Sequence, residues 1–297
     1  MDIMIYGVPK IAEFGESVIA KSYLLLPGGK GANQSVAAAK LGADSAMVGR
    51  LGDDAHGRQL INNLNSYGVD TEDTILDPKT QTGLAPIMVD EATARYVSYV
   101  IMGGNDFISA DQVEHALARR HFDMVLMQLE MPLEVVYRTY ELASEKGVPV
   151  FLDAGPAMDI PLDRLRGIFV ISPNEVEAKA LTGIMPDTEE NAVLAAKKLY
   201  EKAHPRYVLL KLGARGALLY DGATAELIPC FDQIKAADST AAGDTFSAAF
   251  AVQHCKGAEI HEVIRFAHAA AGICVSRKGA QASLPSADEV EAFLQTL

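Results

Sequence analysis

Cysteine is scarce in this chain: Cys230, Cys255 and Cys274 are the only three among 297 residues. Odd in number and far apart, they exclude a disulfide framework or a spaced zinc-ligand set, and they suit the reduced core of a cytoplasmic protein. Long hydrophobic runs are missing too. No stretch reaches the roughly 18 apolar residues of a membrane span, so a membrane partner is not expected. The amino end, Met1-Asp2-Ile3-Met4, has neither the basic flank nor the cleavage site of a secretory signal. Positive charge is the third deficit, with 26 Lys and Arg against 39 Asp and Glu, a formal net charge of -13. Binding a nucleic-acid backbone needs clustered basic side chains, so no nucleic-acid partner is expected. Any smaller phosphorylated ligand would need local help from metal ions, helix amino termini or backbone N–H groups.

What is present is an ordinary globular composition, 49% hydrophobic and 22% charged, in a chain long enough for one large α/β domain with a small appendage. From about residue 120 onward, short apolar runs recur at Met124–Leu129, Val150–Leu152, Ile168–Ile171, Tyr207–Leu212 and Ala217–Tyr220. Runs of this kind, apolar on both faces, suit strands buried between helix layers. Helical patterns alternate with them. One runs from Pro132 and Leu133 to Gly147, and another starts at Asp187 and Thr188, where Glu190 completes a capping pattern with Asp187. The alternation implies a mainly parallel sheet with helices on both faces. The first hundred residues differ. Ile3–Tyr6, Ser17–Leu26, Thr82–Val89 and Arg95–Met102 read as strands of a small sheet, the last two joined as a hairpin through Asp90-Glu91-Ala92-Thr93-Ala94.

Two segments stand out chemically. Asp238-Ser239-Thr240-Ala241-Ala242-Gly243-Asp244-Thr245-Phe246 runs from a loop into a helix that carries Phe246, Ala249 and Phe250 on one face. Small residues and a glycine at a helix start let an anion approach free N–H groups. Asp244 falls in the first turn beside those donors, and a carboxylate next to an anion hole is what phosphorylation of a hydroxyl requires. Alone, such an acid reads more simply as a complement to the helix dipole. The second segment, Pro27-Gly28-Gly29-Lys30-Gly31-Ala32-Asn33-Gln34, puts a Gly-rich loop before an Ala-rich helix from Ser35 to Leu41. Lys30 is followed by Gly31 rather than Ser or Thr, so this is not a P-loop, and no Gly-x-Gly-x-x-Gly fingerprint is present. By itself it is a tight turn that admits a ligand or packs on a neighbour, with Asn33 able to donate and accept.

Residues 238–246 closely resemble the carboxy-terminal signature of the PfkB carbohydrate kinases in its ribokinase-like form, and residues 27–34 resemble the amino-terminal one. They stand about two hundred residues apart in the family's order. Pro173-Asn174-Glu175-Val176-Glu177 is similar to the family's Asn-x-x-Glu element, and Lys211-Leu212-Gly213-Ala214-Arg215-Gly216 to its nucleotide-binding turn. The tail from Ala267 and His268 to Arg277-Lys278-Gly279-Ala280-Gln281-Ala282-Ser283 is similar as well. Without the resemblance, Asn174 is a helix cap, 211–216 a hairpin, His268 a packed helix histidine and Glu130 a solvated loop acid.

The resemblance implies one ribokinase-like domain over 1–297, with lid segments near 2–6, 17–26 and 82–102 and a homodimer formed through the lid. It implies ATP-dependent phosphorylation of a sugar primary hydroxyl, D-ribose to ribose 5-phosphate first. The alternatives are another sugar or a nucleoside, or a catalytically silent sugar- or nucleotide-binding homologue. Asp244 would be the base, with Ala242 and Gly243 N–H groups at the phosphoryl charge. Asp2, Gly29, Lys30, Asn33, Glu130 and Asp244 would hold the sugar. Asn174, Lys211, Gly213, Gly216, Gly243 and His268 would hold ATP, with His268 bordering the adenine. Glu177 would act on magnesium indirectly, and Asp238, Thr240, Cys274, Arg277, Gly279 and Ser283 would bind potassium, mostly through carbonyls. In the family a buried strand ending in Gly-x-x-Asn-x-Asp comes first, and Asp2 aligns with its final Asp. Its absence here implies a gap in the major sheet and a mobile Asp2. The hairpin between Val89 and Tyr96 also lacks the Gly and Asn that ribokinases carry there, which leaves the sugar open.

Overall fold

The computed structural model describes residues 1–90 and 96–296. The first strands are β1 Asp2–Val8, β2 Ser22–Leu26, β3 Gly49–Gly52, β4 Thr74–Asp77, β5 Ala85–Asp90 and β6 Tyr96–Ser98. They are followed by β7 Val125–Met127, β8 Val150–Asp153, β9 Val170–Ser172, β10 Tyr207–Lys211, β11 Ala217–Tyr220 and β12 Ala225–Ile228. The helices are α1 Lys30–Lys40, α2 Ala55–Ser66, α3 Ala110–Arg119, α4 Leu133–Glu145 and α5 Glu175–Thr182. After these come α6 Glu189–Ala203, α7 Ala242–Cys255, α8 Ile260–Val275 and α9 Ala287–Leu294.

The main sheet has the order β12-β11-β10-β9-β8-β7, with β7 to β10 parallel and β11 and β12 antiparallel additions. Alternation along its strands feeds two cores. Leu152, Ile171, Val208 and Leu210 pack with Leu142 of α4, Leu181 of α5 and Leu199 of α6. Phe151, Val170 and Leu209 point to the opposite face, against Val36 of α1, Phe250 of α7 and Ile264 of α8. This is the α/β layering expected from the buried runs. The ladder stops at β7, and β3 and β4 form a separate parallel pair.

The small sheet has the order β2-β1-β5-β6. β5 and β6 form the expected antiparallel hairpin, while residues 91–95 of its connection lie outside the described residues. Asp2 is not loose, contrary to the expectation. It pairs with Leu26 and Ala85 in the centre of this sheet, and the Met1 amino group donates to the Gly83 carbonyl at 3.0 Å. The Asp54 side chain ties the sheet to the main body. It caps α2 through the Gly57 N–H (2.8 Å) and accepts from the Thr82 N–H (2.9 Å) and Oγ1 (2.8 Å), just before β5.

Most element bounds shift by a residue or more from the sequence reading, and three of the shifts bear on the small sheet and on helix starts. The strand expected at Ser17–Leu26 is confined to Ser22–Leu26. α1 begins at Lys30 rather than Ser35, because Gly29 at φ 96° supplies the turn into the helix. The cap of α6 is Thr188, which accepts from the Asn191 N–H, while Asp187 instead takes the Asn191 side chain. Phe250 is fully buried, with its ring centroid 5.2 Å from that of Phe151 across the helix–sheet interface. Phe250→Ala should cost about 3–5 kcal/mol of stability, read as a lower urea midpoint at constant slope.

Candidate active site

On each parallel strand the residue two places beyond the last apolar one is polar, on the face covered by α1 and α7. After Leu126, Phe151, Val170 and Leu209 come Gln128, Asp153, Ser172 and Lys211. Period-two alternation therefore lays a polar row along the carboxy edge of the sheet, where ligands bind in open α/β folds. Asp153 is 1% exposed and Ser172 fully buried. The Lys211 Nζ donates to Asp153 at 2.5 Å.

Over this row the two glycine-marked segments meet. α7 starts after Ala241, which has φ 60° and provides no side-chain cap. The Ala242 N–H turns to the Ser239 carbonyl at 3.2 Å, while the Gly243 N–H has no protein acceptor among the described residues. Of the two N–H groups, that of Gly243 is therefore the one left open to an anion. Asp244 lies in the first turn and is buried. Its two oxygens accept from α1, Oδ2 from Asn33 Nδ2 at 2.9 Å and Oδ1 from Gln34 Nε2 at 3.2 Å. Burial raises the Asp244 carboxyl's pKa above its ordinary value. The Asp153 charge adds to this, while Lys30 and the two amides oppose it.

Lys30 stands among Asp244, Asp153, Glu177 and Glu130, whose charges hold its pKa above the usual lysine range against the effect of burial. Both Lys30 Nζ and Glu177 Oε1 lie so close to Gly155 that a Cβ there would come within 2.8 and 2.6 Å of them. The Asp2 carboxylate rests on Gly28, where any side chain would collide with it. Burial also raises the carboxyls of Asp2 and Glu177. Lys30, Asp2, Glu130 and Asp244 thus lie within reach of one another's charge, with Asn33 bonded to Asp244 and Gly29 at the entry to α1. Neither of two surface cavities, about 330 Å³ beside Arg120 and His121 and about 350 Å³ beside Asp159 and Lys202, includes any of them.

Asn174 does what a cap does, accepting from the Val176 N–H (3.0 Å) and Glu177 N–H (2.9 Å), while Glu177 Oε2 takes the Asn174 N–H at 2.8 Å. This leaves Glu177 Oε1 facing Lys30 and the site. An isolated bridge pairs Asn174 with Lys211. Gly213 and Gly216 form the β10–β11 turn, with Gly216 pressed on the Ile228 carbonyl. His268 is 7% exposed and its Nδ1 has no partner. Burial pushes its pKa down to about 4, so the ring is neutral near pH 7 and has a free polar edge. An orphaned nitrogen on a ring whose centroid lies 5.3 Å from that of Phe246 fits a planar base.

The potassium candidates also converge. Asp238 accepts from Thr240 N (2.9 Å), Thr240 Oγ1 (2.6 Å) and Gly279 N (3.0 Å). Cys274 Sγ contacts the Thr240 carbonyl (3.6 Å) and Ser283 Oγ (3.1 Å). The Thr240 carbonyl, met among the described residues only by a weak thiol, keeps acceptor capacity for a hard cation. Arg277 turns its guanidinium away, to Glu289 at 2.5 Å. No cluster of three or more His, Cys, Asp and Glu suited to a metal occurs among the described residues. Gln34, Gln128, Asp153 and Ser247 were not singled out in the sequence. For Gln128 and Asp153 the signal available was the polar residue two places past an apolar strand position; Gln34 and Ser247, on α1 and α7, carry no such signal.

Glu130 sits one residue past Leu129, and burial pushes its carboxyl up to about 7 from 4.5. The folded protein therefore binds this proton more tightly than the unfolded chain does, and wild-type stability falls as pH rises from 4.5 through about 7. Glu130→Gln lacks that loss, so its stability advantage should be larger at about pH 8 than at about pH 5 in urea denaturation. Parallel pH dependence in the two proteins would mean that Glu130 is not desolvated.

Comparison with known proteins agrees with this geometry. The chain is 36% identical to the ribokinase of Haemophilus influenzae, over 98% of this chain and 94% of that protein. It is 32% identical to the deoxyribokinase of Salmonella typhi, over 94% of this chain and 91% of that protein. The structure of Arabidopsis thaliana ribokinase complexed with ribose and ATP superposes with a TM-score of 0.88 at 33% identity, covering 99% of this chain and 95% of that one. The pfkB family carbohydrate kinase model matches residues 1–287, and the chain belongs to that family.

Proposed function

We propose that this carbohydrate kinase transfers the terminal phosphoryl group of ATP to the primary hydroxyl of D-ribose, giving ribose 5-phosphate. The observation that carries the reading is the Asp244 carboxylate, buried at the amino end of α7 and held by Asn33 and Gln34 from the Gly-rich segment. Asp2, Gly29, Lys30, Asn33 and Glu130 hydrogen-bond the sugar hydroxyls, which suits carboxylates and amides. Asp244 accepts the hydroxyl proton, its raised proton affinity favouring that transfer. The Gly243 N–H and the positive end of α7 face the phosphoryl oxygens, with Ala242 completing the turn. Lys211, Asn174 and the Gly213–Gly216 turn border the nucleotide, and the free edge of His268 faces its base. When bound, ATP supplies the phosphoryl group; magnesium would be held near Glu177 and would offset phosphate charge, and potassium would be held by Asp238, Thr240, Cys274, Arg277, Gly279 and Ser283 and would add positive field. The β1–β2–β5–β6 sheet acts as a lid that excludes water.

The similarity to a deoxyribokinase supports one second reading, with 2-deoxyribose as the sugar. Tyr23 and Leu24 on edge strand β2 are exposed apolar residues, and they support a homodimer formed through the lid. The free cysteines Cys230, Cys255 and Cys274 are in keeping with a reducing cytoplasm.

ADP release with ATP, magnesium and potassium, on D-ribose beside 2-deoxyribose, other sugars and nucleosides, tests this. Ribose-dependent turnover is expected, with Asp244→Ala lowering kcat by about 10²–10⁴-fold. Turnover on 2-deoxyribose alone selects the second reading, and no turnover on any acceptor sinks both. Replacing potassium with choline at equal ionic strength should lower turnover; unchanged rates would remove the cation from the mechanism.

A further inference from the structure

Asp153 is a buried carboxylate with no place in the reaction proposed above, and it joins both halves of the site. One oxygen takes the Lys211 ammonium at 2.5 Å. The other accepts from Gln34 Nε2 at 2.8 Å and from Ser247 Oγ at 3.4 Å. The same Gln34 nitrogen reaches Asp244 Oδ1 at 3.2 Å, and its two hydrogens suffice for one bond to each carboxylate. Gln34 Oε1 accepts from Gln128 Nε2 at 2.5 Å, so the amide is locked with its NH₂ toward the two acids. On the opposite side, Lys211 Nζ lies 3.6 Å from where a Cβ on Gly243 would stand, beside the free N–H of the anion hole.

A buried ion pair is a poor device for stability, since apolar replacements of similar volume are often neutral or better. This one caps an apolar row of Phe151, Val170 and Leu209, where apolar residues would fit. The polar row is also not closed on itself, because Ser172 Oγ is buried without a hydrogen-bond partner. We infer that Asp153 is a positioning residue, resting on the kinase reading: it holds the Lys211 ammonium at the anion hole and, through Gln34, fixes the plane of the Asp244 carboxylate. Base and phosphoryl-binding cation are thereby set at one distance from each other by one side chain.

Steady-state kinetics of Asp153→Asn, Lys211→Met and Gln34→Met test the assignment. The Asp153 and Lys211 variants should raise the KM for ATP, and all three should lower kcat by about 10–100-fold, as for loss of alignment. Gln34→Met should leave the ATP KM unchanged, because its bridge does not touch Lys211. Asp244 is also faced by Lys30 from α1, by Asp2 from β1, by Glu130 after β7 and by Cys274 from α8. All of these persist in Asp153→Asn, so loss of the Asp153 charge alone should move the acid limb of the kcat profile to lower pH. A merely structural role would lower Tm without moving that limb. Asp153→Asn with kcat within about twofold of wild type and an unmoved limb overturns the proposal, as does an equal rise in ATP KM for Gln34→Met. If Asp153→Asn does not fold, the split between Lys211→Met and Gln34→Met decides. Wild type that binds ATP but turns over no sugar defeats the kinase reading alone, and ATP affinity of the variants then decides the Lys211 arm.

Discussion

A carboxylate buried at the start of α7 is the constraint around which the rest of the site is organised. Taken out of water, Asp244 would be driven neutral unless donors and positive charge met it. α1 supplies two amides and Lys30, and α7 supplies its own positive end. These groups come from opposite ends of the chain, so the contact exists only because α1 and α7 share the face of the sheet lined by Phe151, Val170 and Leu209. The small residues of α7, among them Ala248, Ala249 and Ala251, let it lie close to its neighbours.

Local charge explains how so acidic a chain suits a phosphorylated ligand. Asp2, Glu130, Asp153, Glu177 and Asp244 gather around Lys30 and Lys211. Carboxylates outnumber the lysines, and burial raises the proton affinity of four of them, Asp2, Glu130, Glu177 and Asp244. Such a site gains from hydroxyl donors and cations arriving together, which are what a sugar and a metal–nucleotide bring. The net charge of the whole chain is therefore a poor guide to what this cleft holds.

The layered sheet was legible because its strands are short apolar runs bounded by helical periodicity, and the active segments were legible because glycines and small residues mark helix starts that an anion can approach. Asp244 and Asn33 lay inside those strings. Gln34 did too, but with nothing local to give it a role, while Asp153 and Gln128 lay outside them; each takes its meaning from neighbours distant in sequence. A lone acid at a strand end, such as Asp153 after Leu152, has no local pattern to distinguish it from a solvated one. The start of α1 was misjudged for a related reason: Gly29 acts as a helix-entering turn only because its φ of 96° is fixed by what surrounds it. The bonds of Asp2 to the small sheet were likewise invisible to a reading that placed it by alignment alone.

Stability and chemistry are drawn from different layers of the same sheet. The apolar residues of the strands feed the two cores, while the positions just beyond them are polar. The parallel strands all point the same way, so their carboxy ends fall on one edge and their polar continuations line one cleft. Apolar residues at both Asp153 and Lys211 would be expected to keep or improve the packing, whereas one alone would strand the charge of the other. The carboxylate there, with the lysine it holds, is better explained by what the cleft must align than by what the fold needs to stand.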